Sequence, residues 1–290
     1  MPAGTILACQ DLRVDAHSVP ACDGLSFATN GERVVVLGAP GIVFAAATGL
    51  APITRGSLEV RGRAPVDAVR DALVAGAAHA PPLPPRWKLD EYVAWSARLA
   101  GATSPARRAA EAITELKLDA LATTPLGKLV PHARRAAVVA AALATGADTI
   151  LLDDPLGGLP DDLAAAFAEL LVGALGSRSW LVFAPRMPLG LALAGAADEA
   201  LVVGGGTRVD AQGAPRALAA AARRFVARID GAADTVAGAV AEAGGSVEAH
   251  GASHVVLELG PTLTTAGFFA ICATADVAVL ELVPAVHAFA

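Results

Sequence analysis

Four short, almost wholly apolar runs, Arg33 to Leu37, Thr149 to Leu152, Trp180 to Ala184 and Leu201 to Val203, constrain this chain more than any other feature. Each is too short for a stable helix and lacks polar alternation, so each reads as a strand buried on both faces. Helical segments separate them, and that alternation predicts a parallel sheet inside an α/β domain. The last part of the chain has a different rhythm. Strands at 225–229, 246–249, 254–259 and 277–282, with helices at 232–243 and 263–274, spell βαββαβ. A separate small α+β ferredoxin-like domain over 223–290 is expected, after a first domain over 1–222.

Strands are also expected at 5–14, 24–29 and 57–61, and a helix at 161–175. Prolines 81, 82, 84 and 85 forbid regular structure ahead of the apolar-periodic segment 89–99. A helical subdomain then runs over about 89–145.

At 290 residues and 54% hydrophobic content the chain can bury a large core and a small one. Its Ala-rich stretches at 136–147 and 191–203 are interrupted before the roughly 18–20 apolar residues that span a bilayer, so no transmembrane helix is expected. The first ten residues lack the pattern of a secretory signal, which predicts a cytoplasmic protein. Cys9, Cys22 and Cys272 are scattered and odd in number and read as buried small hydrophobes. A net charge of −6 argues against a nucleic-acid partner. The pairs Arg107-Arg108, Arg134-Arg135 and Arg223-Arg224 read as exposed helix faces.

Three segments carry the chemical information. Gly31-Glu32-Arg33-Val34-Val35-Val36-Leu37-Gly38 leads from a strand into a glycine turn, and Ile150-Leu151-Leu152-Asp153-Asp154-Pro155 ends a strand on two carboxylates. Between them, Leu129-Val130-Pro131-His132-Ala133 opens a helix. In order and spacing, residues 5–220 resemble the ATP-binding subunits of ABC transporters, particularly bacterial forms with a small C-terminal extension. The resemblance implies a P-loop NTPase-like fold, a mixed sheet with a helical subdomain.

A phosphate loop of this family reads G-x-x-x-x-G-K-[ST]. Its backbone amides cradle phosphate, its Lys reaches the β/γ-phosphates and its hydroxyl holds Mg²⁺. The matching stretch runs from Gly38 through Gly41 to Ala45, with Val43 at the loop glycine, Phe44 at the lysine and Ala45 at the Mg²⁺ ligand. The first lysine of the chain is Lys88, so no shift of register supplies one. The helix after the loop is also about one turn short before Gly49. Leu129 to Ala133 stands at the Leu-Ser-Gly-Gly-Gln signature that contacts the nucleotide of the opposite subunit. Asp153 falls at the Mg²⁺-supporting acid and Asp154 at the glutamate base, both vestigial on this reading. His79 falls at a glutamine that senses the metal and touches the membrane subunit, with a solvent-exposed loop histidine as the plainer reading. Pro185 replaces the switch histidine, and Val14 to His17 offers no adenine-stacking aromatic residue.

What the resemblance implies is therefore a subunit without a working site: no catalytic residue, no metal and no cofactor, with ATP and Mg²⁺ only if it is an ordinary ATPase. Its partners would be a membrane-embedded transporter subunit and a second ATPase-like subunit, at the cytoplasmic face of the inner membrane. His79 and Trp87 are the contact candidates. An active ATPase and a scaffold independent of transport are the alternatives.

Overall fold

Alternating burial along the first sixty residues builds an antiparallel sheet and then a parallel one. β1 (Leu7–Ala16) pairs with β2 (Val19–Ala28) on one edge. The chain then enters β3 (Arg33–Leu37) of the second sheet, turns through α1 (Gly41–Ala47), and returns as β4 (Ile53–Val60) on the other edge of β1. The computed structural model describes residues 4–16, 19–39, 41–188, 190–204, 207–221, 224–249, 254–260 and 262–284. It divides into two compact units, 1–215 and 216–290; the 222/223 boundary expected from the sequence falls on residues outside the described ones.

The 62–80 stretch, given no structure from the sequence, holds α2 (Pro65–Arg70) and β5 (Val74–Ala77). The helical region contains α3 (Leu89–Leu99), α4 (Pro105–Glu115) and α5 (Pro131–Ala144). In α3, Leu89, Val93 and Ala97 fall four residues apart and form its buried stripe, and the Glu91 carboxylate accepts from the Lys88 amide at 3.0 Å to cap its start. Helix α5 is alanine-rich and mostly buried, which lets it pack closely on α3, α4 and β5.

Next come β6 (Thr149–Asp153), α6 (Asp161–Leu175), β7 (Ser179–Ala184), α7 (Ala192–Ala196), β8 (Glu199–Gly204), β9 (Arg208–Gly213) and α8 (Pro215–Ala221). The second sheet runs β5-β6-β7-β3-β8-β9, parallel except for the β8–β9 hairpin. The apolar runs thus become adjacent parallel strands, as expected. Strand β9, polar and half-exposed, carries no such signal in the sequence. One core joins the two sheets through α1, uniting Leu12 and Leu25 with Val36, Phe44, Leu151, Phe183 and Leu201.

In the second unit, β10 (Arg224–Asp230), α9 (Ala233–Glu242), β11 (Ser246–Ala249), β12 (His254–Glu258), α10 (Thr265–Thr274) and β13 (Ala278–Pro284) follow the βαββαβ order. The antiparallel sheet order β11-β12-β10-β13 is the ferredoxin-like arrangement. Its core gathers Phe225, Ile229, Val236, Leu257 and Phe268.

Candidate functional site

Ligands of open α/β sheets bind beyond the carboxyl ends of parallel strands, where β3 and β6 finish here. Leaving β3, the chain turns at Gly38 with a φ of +77°. A Cβ there would lie 2.4 Å from the Val203 carbonyl oxygen, so only glycine fits. The Gly38 amide donates to the Ala184 carbonyl at 2.9 Å, fixing the turn to the end of β7. Pro40 lies outside the described residues. Helix α1 begins at Gly41, where a Cβ would be 3.7 Å from Asp153 Oδ1, so the turn and the acid face each other.

The next side chains point inward. Val43 and Phe44 are buried, and the Phe44 ring meets Phe183 edge-on with centroids 6.0 Å apart at 79°. Space for the ring comes from Gly76 on β5, where a Cβ would sit 3.2 Å from Phe44 Cζ and 2.5 Å from Thr48 Cγ2. Ala45 is half-buried, and its carbonyl accepts from the amides of Leu50 (2.7 Å) and Ala51 (3.1 Å), which ends the helix after seven residues. Gly38, Gly41, Phe44 and Ala45 therefore lie together in the fold, with Phe44 as part of the core.

Asp153, the last residue of β6, is half-buried, and its Oδ2 accepts from the His79 amide at 3.3 Å. Burial pushes its carboxyl pKa up, opposed by that hydrogen bond and by the charge His79 can carry. Asp154 adopts a left-handed φ of +39°, its amide donating to the Phe183 carbonyl at 2.7 Å. His79 Nδ1 lies 2.8 Å from the Asp154 carbonyl oxygen. A carbonyl only accepts, so Nδ1 carries the proton. The same nitrogen is 3.9 Å from Asp154 Oδ2.

From α5, Arg135 Nη1 donates to the Pro155 carbonyl at 3.1 Å. Burial lowers its pKa, and the Asp154 charge opposes that shift. The acidic turn is thus held from two sides. This corrects two expectations: His79 is a half-buried partner of both acids, and Arg135 is half-buried, while Arg134 is exposed as expected. Arg134 donates to the carbonyls of Leu129 (2.8 Å) and Gly127 (3.0 Å).

In the signature-like segment Leu129 is buried, Val130 is the N-cap and Pro131 the first residue of α5. His132 is half-buried, Ala133 is buried, and no side chain caps the helix. Val14, the start of the stretch that offers no adenine-stacking aromatic residue, belongs to the core, and His17 lies outside the described residues. Trp87 is half-exposed and packs edge-to-face on Trp95 at 5.7 Å and 90°. Trp95 lies in the apolar-periodic segment 89–99, yet it is 41% exposed. The contacts of Arg135 with Pro155 and of Gly76 with Phe44 carry no sequence signal, because each joins residues distant in the chain.

No protein-family model matches the chain. It is 30% identical over 191 residues to the cytochrome c biogenesis ATP-binding export protein CcmA of Paracoccus denitrificans (strain Pd 1222), covering 64% of this chain and 85% of that protein. The chain belongs to the ATP-binding subunits of ABC transporters. The protein of the same name from Ruegeria pomeroyi is 27% identical over 191 residues, covering 64% and 87%. Among solved structures, cbiO1 from Clostridium perfringens, part of the ABC transporter complex cbiONQ, superposes with a TM-score of 0.61 at 18% identity over 75% of this chain and 92% of that one. An inward-facing structure of a metal-chelate type ABC transporter does so with a TM-score of 0.57 at 15% identity, covering 87% and 96%.

As an ABC transporter ATP-binding subunit, the chain works beside a membrane-embedded transporter subunit and pairs with a second ATP-binding subunit at the cytoplasmic face of the membrane. Among the described residues no helix is long and apolar enough to cross a membrane itself.

Proposed function

We propose that this ABC transporter subunit is catalytically silent and serves as a structural or regulatory component of its membrane assembly. The observation that carries the reading is the burial of Phe44 at the place of the phosphate-binding lysine, next to Ala45 at the place of the Mg²⁺-binding hydroxyl. These residues do not fit a Mg²⁺–triphosphate group. The ring is turned into the core, and the helix that would present free amides is seven residues long. Pro131 and His132 add to the misfit by removing an amide and adding bulk where a partner's nucleotide would lie against α5. Losing a single electrostatic donor of this type costs about 10²–10³ in rate. Here several are replaced at once, in both halves of a composite site.

One observation favours the ordinary ATPase reading, the Asp153-Asp154 pair at the end of β6, and the curated relatives are named as ATP-binding export proteins. Calorimetric titration of the purified chain with Mg-ATP separates the two. The expected result is no saturable heat at submillimolar nucleotide; micromolar binding would overturn the proposal.

A further inference from the structure

A helix on the outside of a two-layer unit normally buries one stripe and carries charge on the other, whereas a helix that is apolar on every side is covered on every side. Helix α10, Thr265–Thr274, has no charged residue at all. Phe268 and Cys272 fill the core beneath it, while Ala266, Phe269, Ala270 and Ala273 form an exposed outer stripe at i, i+3, i+4 and i+7. Phe269 leaves 46% of its surface in water. On the neighbouring α9 the exposed Gly238 has nothing within 4 Å of where a Cβ would stand, and the exposed acids Asp234 and Glu242 sit only at the ends of that helix.

The charge of this unit lies on the opposite, open face of its sheet. Arg224 and Arg228 on β10, Glu248 on β11, Glu258 on β12 and Glu281 on β13 are all exposed. Arg224 lies 3.9 Å from Glu248 and Arg228 3.6 Å from Glu281. The sheet face is therefore built for water, and the helix face is the one left without polar groups.

We infer that the α9–α10 face, centred on Phe269 and Ala270, is a contact between two copies of this chain packed about a two-fold axis. A second copy is available, because the subunit pairs with a second ATP-binding subunit. An uncharged face offers nothing to a charged partner, and the acids that border it, Asp234, Glu242 and Asp276, would be repelled by an anionic membrane surface. Against its own copy the same face is complementary: an axis near Ala270 lays each Phe269 ring across the small residues of the other helix pair, with no like charges opposed.

Area sets the strength of this contact. A helix of 10 residues is about 15 Å long, and together with α9 it offers a footprint on the order of 300 Å². A free dimer takes roughly 800 Å² from each copy. The contact thus forms where subunit pairing already holds two copies at high effective concentration.

The test is self-crosslinking in the assembled membrane complex. Cys9, Cys22 and Cys272 are buried, so Ala270→Cys adds an exposed thiol beside the axis, and Glu258→Cys adds one on the open sheet face as the control. Under mild oxidation Ala270→Cys should give a covalent homodimer, joined at position 270 by mass spectrometry, at least about tenfold above the control. Phe269→Glu placed in the Ala270→Cys chain buries an unpaired carboxylate in the contact and should cut the dimer about tenfold or more. Ala273→Glu, which loses only an exposed methyl group, serves if that chain folds poorly.

Dimer at the level of the control, dimer untouched by either glutamate, or a crosslink from position 270 to a different protein overturns the inference. So does an uncrosslinked chain that sediments with lipid vesicles and is released by Phe269→Glu, which would make the face a membrane contact. Mg-ATP binding is scored separately. The contact does not depend on catalytic silence, so a chain that binds nucleotide refutes only that silence and a missing crosslink refutes only the contact.

Discussion

Substituting Phe44→Lys distinguishes a core position from a nucleotide-facing one. The ring is 3% exposed, packs edge-on against Phe183 and fills the space left by Gly76. Truncating a buried phenylalanine costs about 3–5 kcal/mol, of which the aromatic edge contact supplies about 0.5–1.5 kcal/mol. Lysine restores some volume but must place an unpaired ammonium among apolar side chains or lose its proton there, and either route adds to the penalty. A loss of at least about 3 kcal/mol is expected, a large share of the roughly 5–15 kcal/mol that holds a typical domain. For a unit of this size that corresponds to a fall of about 6–12 °C in Tm. The assay is thermal unfolding followed by circular dichroism, with Phe44→Leu, which shrinks the side chain but keeps it apolar, as the control expected to melt above Phe44→Lys. The reasoning is refuted if Phe44→Lys melts within a degree or two of the parent and gains Mg-ATP binding, since position 44 would then face the nucleotide.

Gly76→Ala should lower Tm by several degrees, because its Cβ would fall 2.5 Å from Thr48 Cγ2 and 3.2 Å from the Phe44 ring; an unchanged melt would show that α1 can shift freely. Asp153 has a raised carboxyl pKa, so folding penalises its ionised form above that pKa and the penalty vanishes in acid. Asp153→Asn should accordingly raise Tm at pH 7 to 8, with the gain fading as pH falls through the carboxylate range, and should leave any ATPase activity of the assembled complex unchanged; a hundredfold loss of turnover with assembly intact would mark the acid as catalytic. Trp87→Ala should weaken recovery of the membrane complex while costing the isolated chain the edge contact with Trp95, about 0.5–1.5 kcal/mol, and the burial of part of its ring; full recovery of the complex would remove Trp87 from the interface.

The parts of the fold legible in the sequence were those set by local composition. Val34–Leu37 and Ile150–Leu152 read as buried strands, whereas their order in the sheet, with β7 between β3 and β6, is set by pairing between distant segments. Helix α6 occupies the 161–175 span expected for it, since Pro160 precedes its first turn and Gly176 follows its last residue. Strand β5 was illegible because Val74-Ala75-Gly76-Ala77 is too short and too small to announce itself; it becomes a strand by pairing with β6. At the site the same division holds. That Phe44 is not a lysine is written in the chain, but that its ring would turn into the core depends on Phe183 and Gly76, more than a hundred and about thirty residues away respectively. His79 read as a loop histidine because its partners, the amide-bound Asp153 and the Asp154 carbonyl, are reached only through the β5–β6 pairing.

The packing of α1 also bears on how such a fold persists once its loop has changed. Four of its seven residues, Val43, Phe44, Ala46 and Ala47, are buried, and they contact residues of both sheets within one core. A phosphate-binding helix must instead keep a polar end open to ligand, with its first amides unsatisfied until an anion arrives. Those two demands compete for the same few residues. With Phe44 inside, α1 acts as a wedge between the antiparallel and parallel sheets, and its apolar face stabilises the unit with no nucleotide bound. A return to lysine at 44 would pass through a protein that has lost a core ring and has not yet regained the neighbouring hydroxyl and loop glycine that make a lysine useful. The loss of stability comes first and the gain in binding requires several changes together.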